Sequence, residues 1–243
     1  MISIFHKEII TFFSSLIGYI TIMVFLVVTG MFIWVFPETN LLDHGFSNLD
    51  GFFTLAPWIF IFLIPAVTMR LFSEEKKTGT IEILVTQPLT DLNIILGKYL
   101  AAMFLVIFSL LPTLIYFFTI YMLGNPVGNL DTGATWGSYI GLLLLGSGFV
   151  AIGLFSSSIT DNQIVAFITG MFLCFFFYIV FDYLSELEIF WGNLDIVIQQ
   201  IGINAHYTSI SRGVLDSRDV VYFLSLSIGF IMITKTVMES RKW

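Results

Sequence analysis

Charge is scarce in this sequence. Only 11% of its 243 residues are Asp, Glu, Lys or Arg, where a soluble domain carries about 25%, and 57% are hydrophobic. A water-soluble chain of this size has no interior large enough to hide that much apolar surface, so lipid must solvate it. Basic residues are scarcer still. Ten Lys and Arg against seventeen Asp and Glu leave a net charge of −7, which argues against a nucleic-acid partner. Cysteine is nearly absent: Cys174 alone rules out an internal disulfide. Its apolar neighbours at 172–177 predict an inert filler, because apolar burial raises a thiol's pKa. Catalytic signatures are missing too. There is no G-x-x-x-x-G-K-[ST] phosphate loop, no H-E-x-x-H and no pair of Cys ligands, so the chain holds neither ATP nor zinc by those routes. No metal site is expected.

What the sequence has instead is long apolar runs. A helix needs about 20 apolar residues to cross the hydrocarbon core. Runs near 16–36, 52–72, 92–123, 136–159, 163–184 and 220–238 qualify, which predicts an all-α polytopic membrane protein with six transmembrane helices. Pro112 predicts a tilt or kink in the long third run. The run at 12–36 is too long for a signal h-region and no small-residue cleavage site follows it, so the first span should stay as an anchor. Orientation follows the basic residues. With the N-terminus inside, the cytoplasmic side holds Lys7, Arg70, Lys76, Lys77, Lys98, Lys235, Arg241 and Lys242, and the outer side only Arg212 and Arg218. Both termini are therefore expected in the cytoplasm.

Other features read two ways. Ile2, Phe5, Ile9, Phe12 and Phe13 recur at helical spacing around His6, Lys7 and Glu8, which predicts an interfacial amphipathic helix over 1–12; a plain start of the first span is the alternative. Asp182, the one acid near a span interior, reads as interfacial because it lies close to the outer end. In the fourth span, Gly137 and Gly141 form a small-xxx-small step; the glycines here and Pro57 and Pro65 in the second span mean either flexibility or the ordinary tolerance of membrane helices for these residues.

Two longer loops carry most of the remaining information. The inner segment, 73–91, opens with the charged cluster Glu74, Glu75, Lys76 and Lys77. Gly79 permits a sharp turn, Thr80 is placed to cap a short helix over 81–86 with Ile81, Leu84 and Val85 on one face, Pro88 stops it, and Asp91 is placed to cap the third span. Such a helix, parallel to the membrane and flanked by charge, suits docking to another protein. A solvated connector whose charges only fix topology fits the same residues.

The run E-E-K-K-T-G-T-I-E-I-L-V-T-Q-P-L (74–89), followed by L-G-K-Y-L (96–100), resembles the signature of type-2 ABC transporter permeases. In that family the loop is a coupling helix seated in a groove of a separate ATP-binding subunit. The resemblance implies that Glu74, Glu75, Lys76, Lys77, Gly79, Thr80, Glu82 and Pro88 occupy the coupling positions, and that ATP and magnesium belong to the partner ATPase rather than to this chain. It covers about 25 residues, with similar span number and loop sizes elsewhere.

The outer segment, 185–219, adds to it. The stretch His206 to Asp219 resembles the family's segment before the last span, where a re-entrant hairpin half-enters the membrane; Ile196, Val197, Ile198, Ile201 and Ile203 would supply its apolar patch. His206, Arg212 and Asp216 are the candidate residues of that segment. For Arg212, Asp216, Arg218 and Asp219 a solvated surface cluster is the plainer account. Within the family, the short chain and the R-G-V-L-D-S-R-D-V-V-Y-F-L run are similar to the gliding-motility permease subunit of Bacteroidetes-type bacteria. That implies an inner-membrane location, a cytoplasmic ATPase, and a second permease subunit with a large extracytoplasmic domain. A non-transporting scaffold subunit of a motility or secretion complex is the rival.

Overall fold

The computed structural model describes residues 1–37, 39–41, 47–85, 89–187 and 193–240, and among them all regular structure is helical. α1 (Ile2–Phe13) and α2 (Leu16–Trp34) meet at 69°. Ser15 makes the corner: its hydroxyl accepts the Gly18 N–H and so begins a new helix. A sharp bend thus sets α1 off from α2. α1 lies across the base of the third span, with Phe5 edge-on to Phe104 and Phe13 edge-on to Phe108.

The second span comprises α3 (Asp50–Thr68) and α4 (Arg70–Lys77), interrupted at Met69. Together they run 28 residues, about 42 Å at 1.5 Å per residue, against about 30 Å of hydrocarbon. The sequence pattern put the end of this span near 72. The helix instead carries Ser73 to Lys77 with it, so the inner loop begins only at Thr78. A sharp turn leads to α5 (Thr80–Val85).

The third span is α6 (Asp91–Leu110), a 3-10 turn at Leu111–Thr113 that contains Pro112, and α7 (Leu114–Leu123). Proline has no N–H to donate, and the tighter turn absorbs that loss. Asp91 does not cap this span; the Thr90 hydroxyl does, by accepting the Asn93 N–H at 3.3 Å. The fourth span, α8 (Thr132–Ile159), is the pillar of the bundle, with 78% of its apolar window buried against 28% for the last span. The fifth is α9 (Gln163–Phe175), a π-helical stretch over Phe176–Val180 and α10 (Phe181–Ser185). Cys174 is fully buried there.

Two short helices, α11 (Asn193–Ile201) and α12 (Ile203–Ile210), precede the sixth, α13 (Ser217–Glu239). α12 buries Ile203, Tyr207 and Ile210. α8 admits it because Gly141 has no side chain: a Cβ there would lie 2.6 Å from Ile210 Cγ2. The small-residue step thus seats the outer segment. Among the described residues, five helical runs are long and apolar enough to cross a membrane, and six if α1 and α2 count as one bent span. The protein is an all-α, multi-pass membrane protein.

Candidate functional site

α4 ends where its carbonyls run out of helical partners. Gly79 follows with φ of +71°, a conformation L-residues resist, and no atom lies within 4 Å of where its Cβ would be. Glycine is needed here for backbone reasons alone. Thr78 Oγ1 donates to Glu74 O at 2.8 Å, and Thr80 Oγ1 reaches back to Glu75 O and to Thr78 Oγ1. Thr80 thus closes the end of α4, where the sequence placed it as a cap in front of a helix starting at 81; α5 begins at Thr80 itself. Glu82 sits exposed in the first turn of α5, where a carboxylate favours the helix N-terminus. Ile81 is half-buried against the core. Pro88 lies outside the described residues, as do the side chains of Leu84 and Val85.

The four charges of the cluster divide. Lys77 is exposed and Glu74 half-exposed, the latter paired with Arg70 at 3.2 Å. Glu75 faces inward and is only 8% exposed. Its partner is Lys98, whose side chain is fully buried. Three oxygens surround Lys98 Nζ: Glu8 Oε1 at 2.6 Å, Leu71 O at 2.6 Å and Glu75 Oε2 at 2.9 Å. Its charge also sits 5.1 Å from the Phe72 ring centre. Lys7 completes the group, paired with Glu75 and, at 3.5 Å, with Glu8. Burial works against the Lys7 charge, but Glu75 and Glu8 outweigh it and hold its ammonium above the ordinary lysine range. Two lysines and two glutamates sum to zero, the condition under which buried charge is tolerable. The cluster ties α1, α4 and α6 together. Lys76 turns the other way and donates to Ser158 O at the end of α8, a helix C-terminus that favours a cation. Glu75 and Lys76 therefore hold the helix to the bundle, while Glu74, Lys77, Gly79, Thr80 and Glu82 remain at the surface.

At the opposite end, the candidate residues do not form one site. His206 Nδ1 lies 2.6 Å from Asp219 Oδ1, and Nε2 lies 2.9 Å from Gln200 O. Its ring stacks on Tyr222 at 3.9 Å, and Tyr222 in turn donates to Ile201 O. His206 is a clasp between α11, α12 and α13. Asp216 caps α13 through the Arg218 N–H at 2.9 Å. Arg212 lines an open cleft of about 540 Å³ with Asp50 and Asp131. Asn204 donates to Asp182 at 2.5 Å, so Asp182 holds α12 against the fifth span.

Sequence reasoning missed the roles of Glu8, Asn204 and Asp219, whose partners lie 90, 22 and 13 residues away. For Glu75 a signal existed: it shares a helical face with Leu71 and Phe72, at spacings of four and three.

A family model described as ABC-2 family transporter protein matches residues 46–214. The chain belongs to this family. No curated protein matches it. The match runs from just before α3 to just past α12, so it contains the inner segment and, of the outer candidates, His206 and Arg212, while Asp216, α1 and the α1 contribution to the charge cluster lie outside. ABC-2 family membrane proteins are transport subunits that normally work with a cytoplasmic ATPase, and the multi-pass bundle described above suits that role.

Proposed function

We propose that this chain is the permease subunit of an ABC transporter in which the turn from α4 to α5 receives motion from a separate cytoplasmic ATPase. The observation that carries the reading is the division of charge on α4. One side is fixed into the bundle through Glu75 and Lys76, and the tip beyond it offers Lys77, Thr80 and Glu82 to a partner. A lever needs both a rooted base and a free tip. In this reading the α5 end faces the cytoplasm of a bacterial inner membrane, with both chain termini on that side. ATP and magnesium are held by the ATPase. α11 and α12 form the re-entrant outer segment. The short chain and the resemblance of the 212–224 run favour the gliding-motility subtype, in which the partner permease subunit carries a large extracytoplasmic domain and the cargo is a substrate or a mechanical signal.

The test is purification of the chain from its native membrane in mild detergent, with the co-purifying ATPase measured by its hydrolysis. Wild-type chain should retain the ATPase, and a Gly79→Pro, Glu82→Lys variant should lose it without loss of folded permease. Equal recovery with both chains would remove the coupling role from α5. Nucleotide-independent accessibility of the outer segment, with the ATPase still bound, would favour a scaffold.

A further inference from the structure

The second span is interrupted at the point where a lever would need a joint. α3 stops at Thr68 and α4 starts at Arg70. Met69 keeps a helical backbone and donates its N–H to Pro65 O at 2.8 Å, so the break is a gap in the hydrogen-bond ladder rather than a change of backbone conformation. Across the break lies Ser157 of α8, fully buried. Its Oγ accepts the Phe72 N–H at 3.0 Å and the Ser73 N–H at 3.2 Å, and donates to Met69 O at 2.8 Å. A hydroxyl has one proton and two lone pairs, so this one is fully used. All three bonds go to the backbone of one break on another helix. A side chain inserted into a helical ladder is a recognised cause of bending. The same stretch of α8 touches the break a second time: a Cβ on Gly153 would lie 2.1 Å from Thr68 Oγ1. α4 is thus bonded to α8 by Ser157 and by Lys76 to Ser158 O, and to α6 by Glu75 to Lys98.

We infer that Met69 is a hinge and that Ser157 is the positioning residue that fastens α4 to α8, so that displacement of the coupling tip is routed into the buried fourth span rather than straight up α3. The inference rests on the coupling reading for the source of the motion, but the fastening itself is a property of this chain alone. Without the Ser157 hydroxyl, the Phe72 N–H loses its acceptor in a buried place, and of these two ties to α8 the helix keeps Lys76 to Ser158 O alone, which loosens α4 at Met69.

Two measurements separate the parts. First, hydrogen exchange is followed in residues 70–77 of the purified chain in nanodiscs. Ser157→Ala should accelerate exchange there about tenfold or more, as expected for loss of a buried hydrogen bond. Gly153→Ala, which wedges α8 away from Thr68, should do the same while keeping the hydroxyl. Ser109→Ala, which removes a buried hydroxyl bonded within its own helix, should not. Wild-type exchange in both Ser157→Ala and Gly153→Ala would overturn the fastening. Second, spin labels at Thr78→Cys and Asp161→Cys, both exposed, report the spacing of the inner ends of α4 and α8 in the complex with the ATPase; the native Cys174 is buried and takes no label. The distance should be the same with and without ATP in the otherwise wild-type chain and become ATP-dependent with Ser157→Ala. An ATP-dependent distance already present with Ser157 in place would overturn the routing. If no ATPase binds the chain at all, the coupling reading falls, and the exchange result alone decides whether Ser157 fastens the break.

Discussion

Lys98 Nζ lies 2.9 Å from Glu75 Oε2, with the lysine side chain fully buried and the carboxylate side chain 10% exposed. The pair joins the base of the third span to the end of the second, and Glu8 brings the N-terminal helix to the same point. A buried ammonium is unfavourable unless oxygens replace its water. Here three do, and two of them, Leu71 O and Glu75 Oε2, belong to α4.

Replacing Lys98 with Met should therefore be severe. It leaves Glu8 and Glu75 sharing Lys7 alone, and breaking a buried pair costs about 3–5 kcal/mol. The unfolding midpoint of the detergent-solubilised chain should fall accordingly. Lys98→Met combined with Glu75→Leu restores neutrality, with Lys7 still facing Glu8, and should recover more than half of the loss. A double variant as unstable as the single one would mean that packing of the lysine stem, rather than charge balance, holds α6 to α4.

Gly79 should respond to backbone geometry and not to side-chain size. Its φ of +71° disfavours residues with a Cβ by about 1–2 kcal/mol, yet nothing lies within 4 Å to clash with one. Gly79→Asn should keep ATPase retention near wild type because Asn tolerates this conformation, whereas Gly79→Val should reduce it. Equal retention would show that the α4–α5 turn adapts freely.

These two residues mark how much was legible beforehand. Gly79 announced its role because a turn is a local event and only glycine enters that region freely. The spans were legible for a similar reason: hydropathy sums over neighbours in sequence. Glu75 looked like its neighbours Glu74, Lys76 and Lys77, but successive residues on a helix point about 100° apart, and which of the four faces inward depends on where α6 and α8 stand. Ser157 sits between Ser156 and Ser158 with no spacing to mark it out; its value comes from a break in another helix 88 residues earlier in the chain.

The His206 clasp should matter to the outer end of α13 and little elsewhere. Both ring nitrogens face oxygen acceptors. Asp219→Leu leaves His206 Nδ1 facing an apolar side chain and should cost about 1.5–3 kcal/mol, the range for hydrogen bonds to charged groups. Asp219→Asn keeps an acceptor in place and should cost less. Hydrogen exchange over 203–210 should rise in that order, with residues 70–77 unchanged. A rise spread evenly over the chain would mean that Asp219 supports the whole bundle.

Finally, α12 should be held to α8 by shape. Gly141 leaves room for Ile210, which is fully buried and has nowhere to retreat. Gly141→Ala places its methyl carbon 2.6 Å from Ile210 Cγ2 and should destabilise by about 1–3 kcal/mol through overpacking. Ile210→Ala alone opens a cavity and should cost about 2–5 kcal/mol. The two changes are complementary, because the alanine at 141 enters the space that the isoleucine leaves. Their combination should therefore be less damaging than the sum of the single losses by about 0.5–3 kcal/mol, the range for residues in contact. The cycle is read from unfolding midpoints together with exchange over 203–210. Additive losses would mean that α12 is held by its polar contacts to Asp182 and Asp219, and that the glycine step on α8 merely tolerates it.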